Sequence, residues 1–240
     1  MRPSPAEIAR TLATGRLLGV AHLRGYPDQL RVRHATGADG RPLLLTPSTG
    51  ELAAALQPPP GERDVAMVLR VDDIPPVDEA PCYGRLWISG WAARLAGPEA
   101  RAAAQAYAAV NPCSDLLDVG YGHTLYRLHV AEVRLAHGPS LVELEPEDYL
   151  AATPDPLHRD EPELLAELAD RRRLHALVST LTGQPAPAGS RAVRIDQFGL
   201  TLACPEPGRR PHRSRVPFPR PVTDRRHLAE LTIGGAVGHP

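Results

Sequence analysis

Several residue groups carry types and spacings that could do chemistry. The chain's two tryptophans, Trp87 and Trp91, lie four residues apart in GRLWISGWAARL. At strand period Trp87, Ser89 and Trp91 share one face, while Leu86, Ile88 and Gly90 share the other. One face reads as aliphatic core, the other as a platform for a second domain, a subunit partner or a flat ligand. Thr46, Ser48 and Thr49 gather hydroxyls where a strand gives way to a helix. A helix start favours an anion, and the same hydroxyls also serve as a helix cap that needs no ligand. Arg31 and Arg33 project from one face of a strand, Val32 and His34 from the other; alternation alone leaves open which face is outside.

Other chemistries find no footing. Ser48, Ser89 and Ser114 sit in no G-x-S-x-G elbow, and Cys82, Cys113 and Cys204 form no CxxC pair. The widely spaced cysteines point to a reducing compartment without a zinc site. Asp72 with Asp73, and Glu145 with Glu147 and Asp148, lie beside prolines and read as solvated turns. All 27 basic residues are arginine, which excludes Schiff-base and P-loop lysine chemistry. A formal net charge of -1 gives no expectation of a nucleic-acid partner, and RRPHRSR, Arg209 to Arg215, reads as a solvated hairpin loop. The N-terminus MRPSPAEIAR lacks the apolar core of a signal peptide, and no run reaches the ~18 apolar residues of a membrane span. A cytoplasmic protein with no membrane partner is expected.

The elements that must position these residues follow from punctuation and period. Ser4, Pro5 and Glu7 predict a capped helix ending near Gly15. Strands are predicted over 17–23, 30–35, 42–46, 65–71, the tryptophan stretch and 124–136, with 141–144 extending the sheet. Helices are predicted over 49–56 and 97–110. Short strands at hairpin spacing favour a closed or half-closed antiparallel barrel over a doubly wound fold. ATPDPLHRDEP has linker composition. Beyond it, a single helix over 161–181 is predicted with Leu164, Leu165, Leu168, Leu174, Leu177 and Val178 on its apolar stripe. A hairpin-like corner in RIDQFGLTL, a partner strand in SRVPFPRPV and a last helix over 224–231 follow. The fold class is α+β, mainly β: a barrel domain over 1–151, a linker over 152–162, and a small α-β-β-α domain over 163–240.

This order of parts, carried by RPLLLTPSTGELAAAL, GRLWISGWAARL and RIDQFGLTL…RVPFPRPVTDRRHLAEL, resembles the FMN-binding split-barrel superfamily, which is pyridoxamine-phosphate-oxidase-like. The pairing of barrel and C-terminal unit resembles its heme-utilisation branch. The resemblance implies a six-stranded split barrel and an obligate homodimer with cofactor sites in clefts between the barrels. Trp87 and Trp91 then become a contact surface or a ligand shelf. In flavin-binding members the FMN phosphate is held where strand three meets the next helix, which maps onto Thr46, Ser48 and Thr49. The usual cation is replaced there by Gly50 or Glu51. Arg31 and Arg33, if turned into the cleft, would grip a phosphate or heme propionates. For heme, the family's late iron-binding histidine maps onto His227 or His239. The branch's H-M-N-x-D-H-like run is replaced by ELADRRRLHAL and its glycine-phenylalanine-glycine exit by HGPSLVEL. Three readings stand: a heme- or tetrapyrrole-binding protein without clear oxygenase machinery, an oxidoreductase using FMN or deazaflavin, and a cofactor-free scaffold.

Overall fold

Burial alternates along most of the first six strands, and a pairing between the first and last of their sheet order closes them into a barrel. In the computed structural model the described residues are 1–240 except Pro27, Glu79, Pro207, Arg209, Arg210 and 235–240, with the side chains of 232–234 also outside the description. The chain forms two compact units: residues 4–74 and 82–154 make one, and residues 1–3, 75–81 and 155–240 the other.

The first unit opens with α1 (Pro5–Leu12), whose capping box is complete: the Ser4 N–H donates to Glu7 (2.7 Å) and the Glu7 N–H to the Ser4 hydroxyl (3.2 Å). Then come β1 (Gly19–Leu23), β2 (Leu30–Thr36), β3 (Pro42–Pro47), α2 (Glu51–Ala55), β4 (Asp64–Asp72), β5 (Gly84–Arg94) and α3 (Gly97–Val110). A short 3₁₀ turn at Ser114–Asp118, β6 (His123–His137), β7 (Ser140–Leu144) and α4 (Pro146–Ala151) complete it. The sheet runs β3-β2-β1-β4-β5-β6-β7, and an added β3–β6 pairing closes the first six strands into an antiparallel barrel. On one edge β6 pairs with β3 through 123–127 and with β7 through 133–137, leaving residues 128–132 between them.

Inward side chains such as Ala21, Val32, Leu44, Leu69, Ile88 and Leu128 fill the interior together with Ala9 and Leu12 of α1. On the outside, Ala100, Ala103 and Tyr107 of α3 cover Ala35, Leu43, Leu45 and Leu125. With both faces covered, β3 is buried continuously from Pro42 to Thr46 instead of alternating.

The β5–β6 ladder shifts register between Ser89 and Gly90, which pair with Glu132 and Val130, so Ala131 is an extra, bulged residue. The bulge reverses parity on β6, so Leu128 and then Val133 and Leu135 point inward. It also requires Gly90, because a Cβ there would land on the His129 carbonyl oxygen. Gly90→Ala is therefore expected to cost ~2–3 kcal/mol, read as a lower urea midpoint in tryptophan fluorescence; an unchanged midpoint would show that the ladder absorbs the methyl group.

The second unit contains α5 (Glu161–Glu167), α6 (Arg171–Thr182), β8 (Arg191–Asp196), β9 (Gly199–Cys204), β10 (His212–Pro217) and α7 (Arg225–Gly234). The helix expected over 161–181 is broken in two. Asp170 takes the N-cap position and accepts from the Arg172 N–H at 2.8 Å, restarting the chain as α6. The apolar stripe survives the break: Leu164, Leu165, Leu168, Leu174, Leu177 and Val178 are all buried in one core. RIDQFGLTL supplies two strands, β8 and β9, so with β10 the sheet has three strands in the order β10-β9-β8.

Residues 155–161, linker-like in composition, are tied down by buried carboxylates. Asp155 accepts from the N–H groups of Leu157 and Gln197, both at 2.8 Å. Burial still pushes its carboxyl up to about 6. Glu161 accepts from Arg194 at 2.9 Å and from the Ile195 N–H at 3.4 Å. No helix among the described residues is long and apolar enough to cross a membrane.

Candidate functional site

The tryptophan face lies outside the barrel. Leu86, Ile88, Gly90 and Ala92 are buried, while Trp87 and Ser89 are half-buried and Trp91 is 52% exposed. The two indoles differ in availability. Arg85, two residues along the same face, holds its guanidinium 5.6 Å from the Trp87 ring centroid, and its Nε donates to Asp72 at 2.6 Å. Trp87 is thus roofed by a cation of its own chain, and Trp91 is the indole left open. Its cross-strand neighbours are Ala66 on β4 and His129 on β6. His129 is exposed, and its ring makes no hydrogen bond or ion pair with the described residues.

A second group gathers where β3 ends. The ladder pairs Arg33 with Leu45, Thr46 with Thr124 and Pro47 with His123. The Ser48 N–H donates to the Gly122 carbonyl at 2.8 Å, and the Ser48 and Thr124 hydroxyls share a 2.9 Å hydrogen bond. Thr46 is buried and Thr49 exposed. Neither Ser48 nor Thr49 caps the following helix: its N-cap is Gly50, with no side-chain hydrogen bond. The hydroxyl of Ser48 has instead been taken across to β6, a partner invisible to local sequence, and this overturns the cap reading. Arg31 and Arg33 both face outward and are exposed. Arg33 is engaged by Asp115 of the 3₁₀ turn, whose carboxylate also lies 3.4 Å from His123 Nε2. His123 Nδ1 is 3.7 Å from Asp118. The cation nearest the hydroxyls by strand register is thus already neutralised, and Glu51 occupies the first turn of α2.

The structure divides the expected site residues between these two places. Arg33, Thr46 and Ser48 meet at the β3 end, Arg31 lies two residues further along β2, and Trp87 and Trp91 lie on the β4–β6 face. His227 belongs to the other unit, in the first turn of α7. Its Nδ1 is 2.9 Å from the Thr223 hydroxyl and its N–H donates to Asp224 at 2.9 Å. His239 lies outside the described residues. His34, inward on β2, is fully buried with neither ring nitrogen partnered among the described residues, and its burial gives an external ligand no approach. No cluster of three or more His, Cys, Asp or Glu residues suited to a metal ion occurs among the described residues. The residue that sequence reasoning passed over is His129. Strand period puts it on one face with Arg127, but only the tertiary structure shows that face to be exterior and places it opposite Trp91.

A closed six-stranded antiparallel barrel with an accompanying α+β unit is the split-barrel fold. The structure of the heme binding protein from Mycobacterium smegmatis shares it over 99% of this chain and 100% of that one, with a TM-score of 0.62 and 23% identity. A protein of unknown function from Agrobacterium tumefaciens aligns over 98% of each chain with a TM-score of 0.48 and 19% identity. The FAD and heme binding protein from Mycobacterium smegmatis aligns over 63% of this chain and 80% of that one, with a TM-score of 0.39 and 14% identity. At these identities the likeness is one of fold. No family model and no curated protein matches the chain.

Proposed function

We propose that this chain is a split-barrel ligand-binding protein that takes heme or a related tetrapyrrole in a cleft between two copies. The observation that carries the reading is the end-to-end correspondence, C-terminal unit included, with a protein described as heme binding. The β3 end supports tetrapyrrole over FMN. A phosphate dianion there would need a free cation beside Ser48, and Arg33 is committed to Asp115 while Glu51 adds a negative charge. Bound heme would supply an iron centre and a flat dianionic macrocycle. The chain would supply an imidazole, which the resemblance assigns to a late histidine, His227 or His239, and an exposed arginine such as Arg31 for a carboxylate.

The test is an absorption spectrum of the purified full chain, titrated separately with hemin and with FMN, alongside its molar mass in solution. A saturable Soret shift at one hemin per chain on a dimer is expected. Copurified yellow colour, or FMN binding without hemin binding, would move the reading to a flavin-dependent oxidoreductase. No response to either would leave a cofactor-free scaffold.

A further inference from the structure

The exterior of β4, β5 and β6 holds a group of side chains with no structural task of their own. His129 is exposed and its ring makes no hydrogen bond or ion pair with the described residues. Trp91 stands directly across the ladder from it. Arg127, two residues back on the same face of β6, forms no ion pair with the described residues either. It lies about 7 Å along the strand from His129, and Trp91 about 5 Å across. The outward positions nearest Trp91 and His129 are small, Ala66, Ser89, Ala93 and Ala131, with Val68 and the Arg134-paired Glu132 opposite Ser89. This floor leaves the imidazole approachable by a flat ligand, with Trp91 as the one aromatic neighbour across the ladder. The adjoining charges differ in kind, since Arg70, Arg85 and Arg134 are all held by carboxylates of their own chain.

The backbone holds this arrangement firm. The bulge at Ala131, enforced by Gly90, sits two residues from His129, and bulges re-aim neighbouring side chains while increasing local twist. His129 also falls in the segment of β6, 128–132, that neither β3 nor β7 pairs on its second edge. Its position therefore comes from a ladder on one side and an opening on the other.

We infer that this barrel face is a binding site for a planar, anionic, metal-bearing macrocycle. His129 supplies the axial imidazole, Trp91 an aromatic contact and Arg127 a partner for a carboxylate. Neutral imidazole is the commonest axial ligand for such a metal, indole packs readily against a flat π-system, and a free guanidinium pairs with carboxylate. The inference rests on the tetrapyrrole reading above but replaces His227 with His129 as the ligand. It places binding on the barrel, not on the C-terminal unit.

The experiment is hemin titration of the full chain, wild type against His129→Ala, Trp91→Ala, His227→Ala and His175→Ala, the last removing an exposed histidine on α6 as a control. Soret position and the low-spin iron signal in electron paramagnetic resonance are the readouts. Wild type is expected to bind one hemin per chain. His129→Ala should lose the Soret shift and bind at least tenfold more weakly, Trp91→Ala several-fold more weakly, and the other two as wild type. Because His129 is exposed, the variant should keep the wild-type thermal midpoint, which separates ligation from misfolding. Wild-type binding that survives His129→Ala unchanged, or is lost in His227→Ala or His175→Ala instead, overturns this inference and leaves the broader reading standing. A wild-type chain that ignores hemin removes both.

Discussion

Urea unfolding of a Glu161→Ala chain is expected to lose ~3–5 kcal/mol from the transition followed by far-UV circular dichroism. Glu161 is 4% exposed, and its two oxygens face the Arg194 guanidinium and the Ile195 N–H. Removing the carboxylate leaves a largely buried guanidinium short of its counter-ion and a buried strand N–H short of its acceptor. Glu161→Gln keeps the acceptor but not the charge, so it should recover part of the loss. The probes separate the two units, because both tryptophans belong to the barrel unit and none to the other. Tryptophan fluorescence should move less than circular dichroism. Equal shifts in both signals would mean that the two units unfold in one transition, and no shift in either would mean that water replaces the lost partner.

Mild acid should act on the barrel in turn. His34 is fully buried without a partner for either ring nitrogen among the described residues, and burial lowers its pKa from 6.5 to about 4. In the unfolded chain the imidazole takes up a proton near pH 6.5, whereas the folded barrel refuses one until about pH 4. The unfolded state therefore binds more protons between those values, and stability rises with pH across the window. It is fully present above about pH 7 and is lost as pH falls from 6.5 towards 4, by ~3 kcal/mol in total. Tryptophan fluorescence in urea at a series of pH values should show this slope in wild type. His34→Leu, which fits the apolar interior and cannot titrate, should flatten it; a slope that persists in the variant would assign it to other groups.

Much of the barrel was legible because local signals agreed with the tertiary outcome. The Ser4 and Glu7 box, the Pro98 first turn of α3 and the period-2 alternation of β5 are all decided by residues within a few positions of one another. Where reading failed, a distant partner had intervened. The stripe of leucines over 161–181 is continuous in period, so nothing in it announced that Asp170 would cap a new helix. Ser48 and Thr49 had the composition of a helix cap, yet the Ser48 hydroxyl bonds to Thr124, 76 residues away. The linker-like composition of 152–162 gave no hint that Asp155 and Glu161 would bind the β8–β9 hairpin more than 30 residues on.

The site followed the same division. Residue types alone determined that this chain has no lysine chemistry, no nucleophile elbow and no cysteine metal pair. They also determined that its tryptophans share one face of one strand, because strand period depends only on neighbouring backbone. Tertiary structure decided that this face is exterior, that Arg85 covers Trp87 but not Trp91, that Asp115 occupies Arg33, and that His129 stands beside the open indole. Each of these is a pairing between strands or turns distant in sequence. Ladder register, ion-pair choice and the bulge at Ala131 are set by which segments share a core, and local sequence does not encode which those will be.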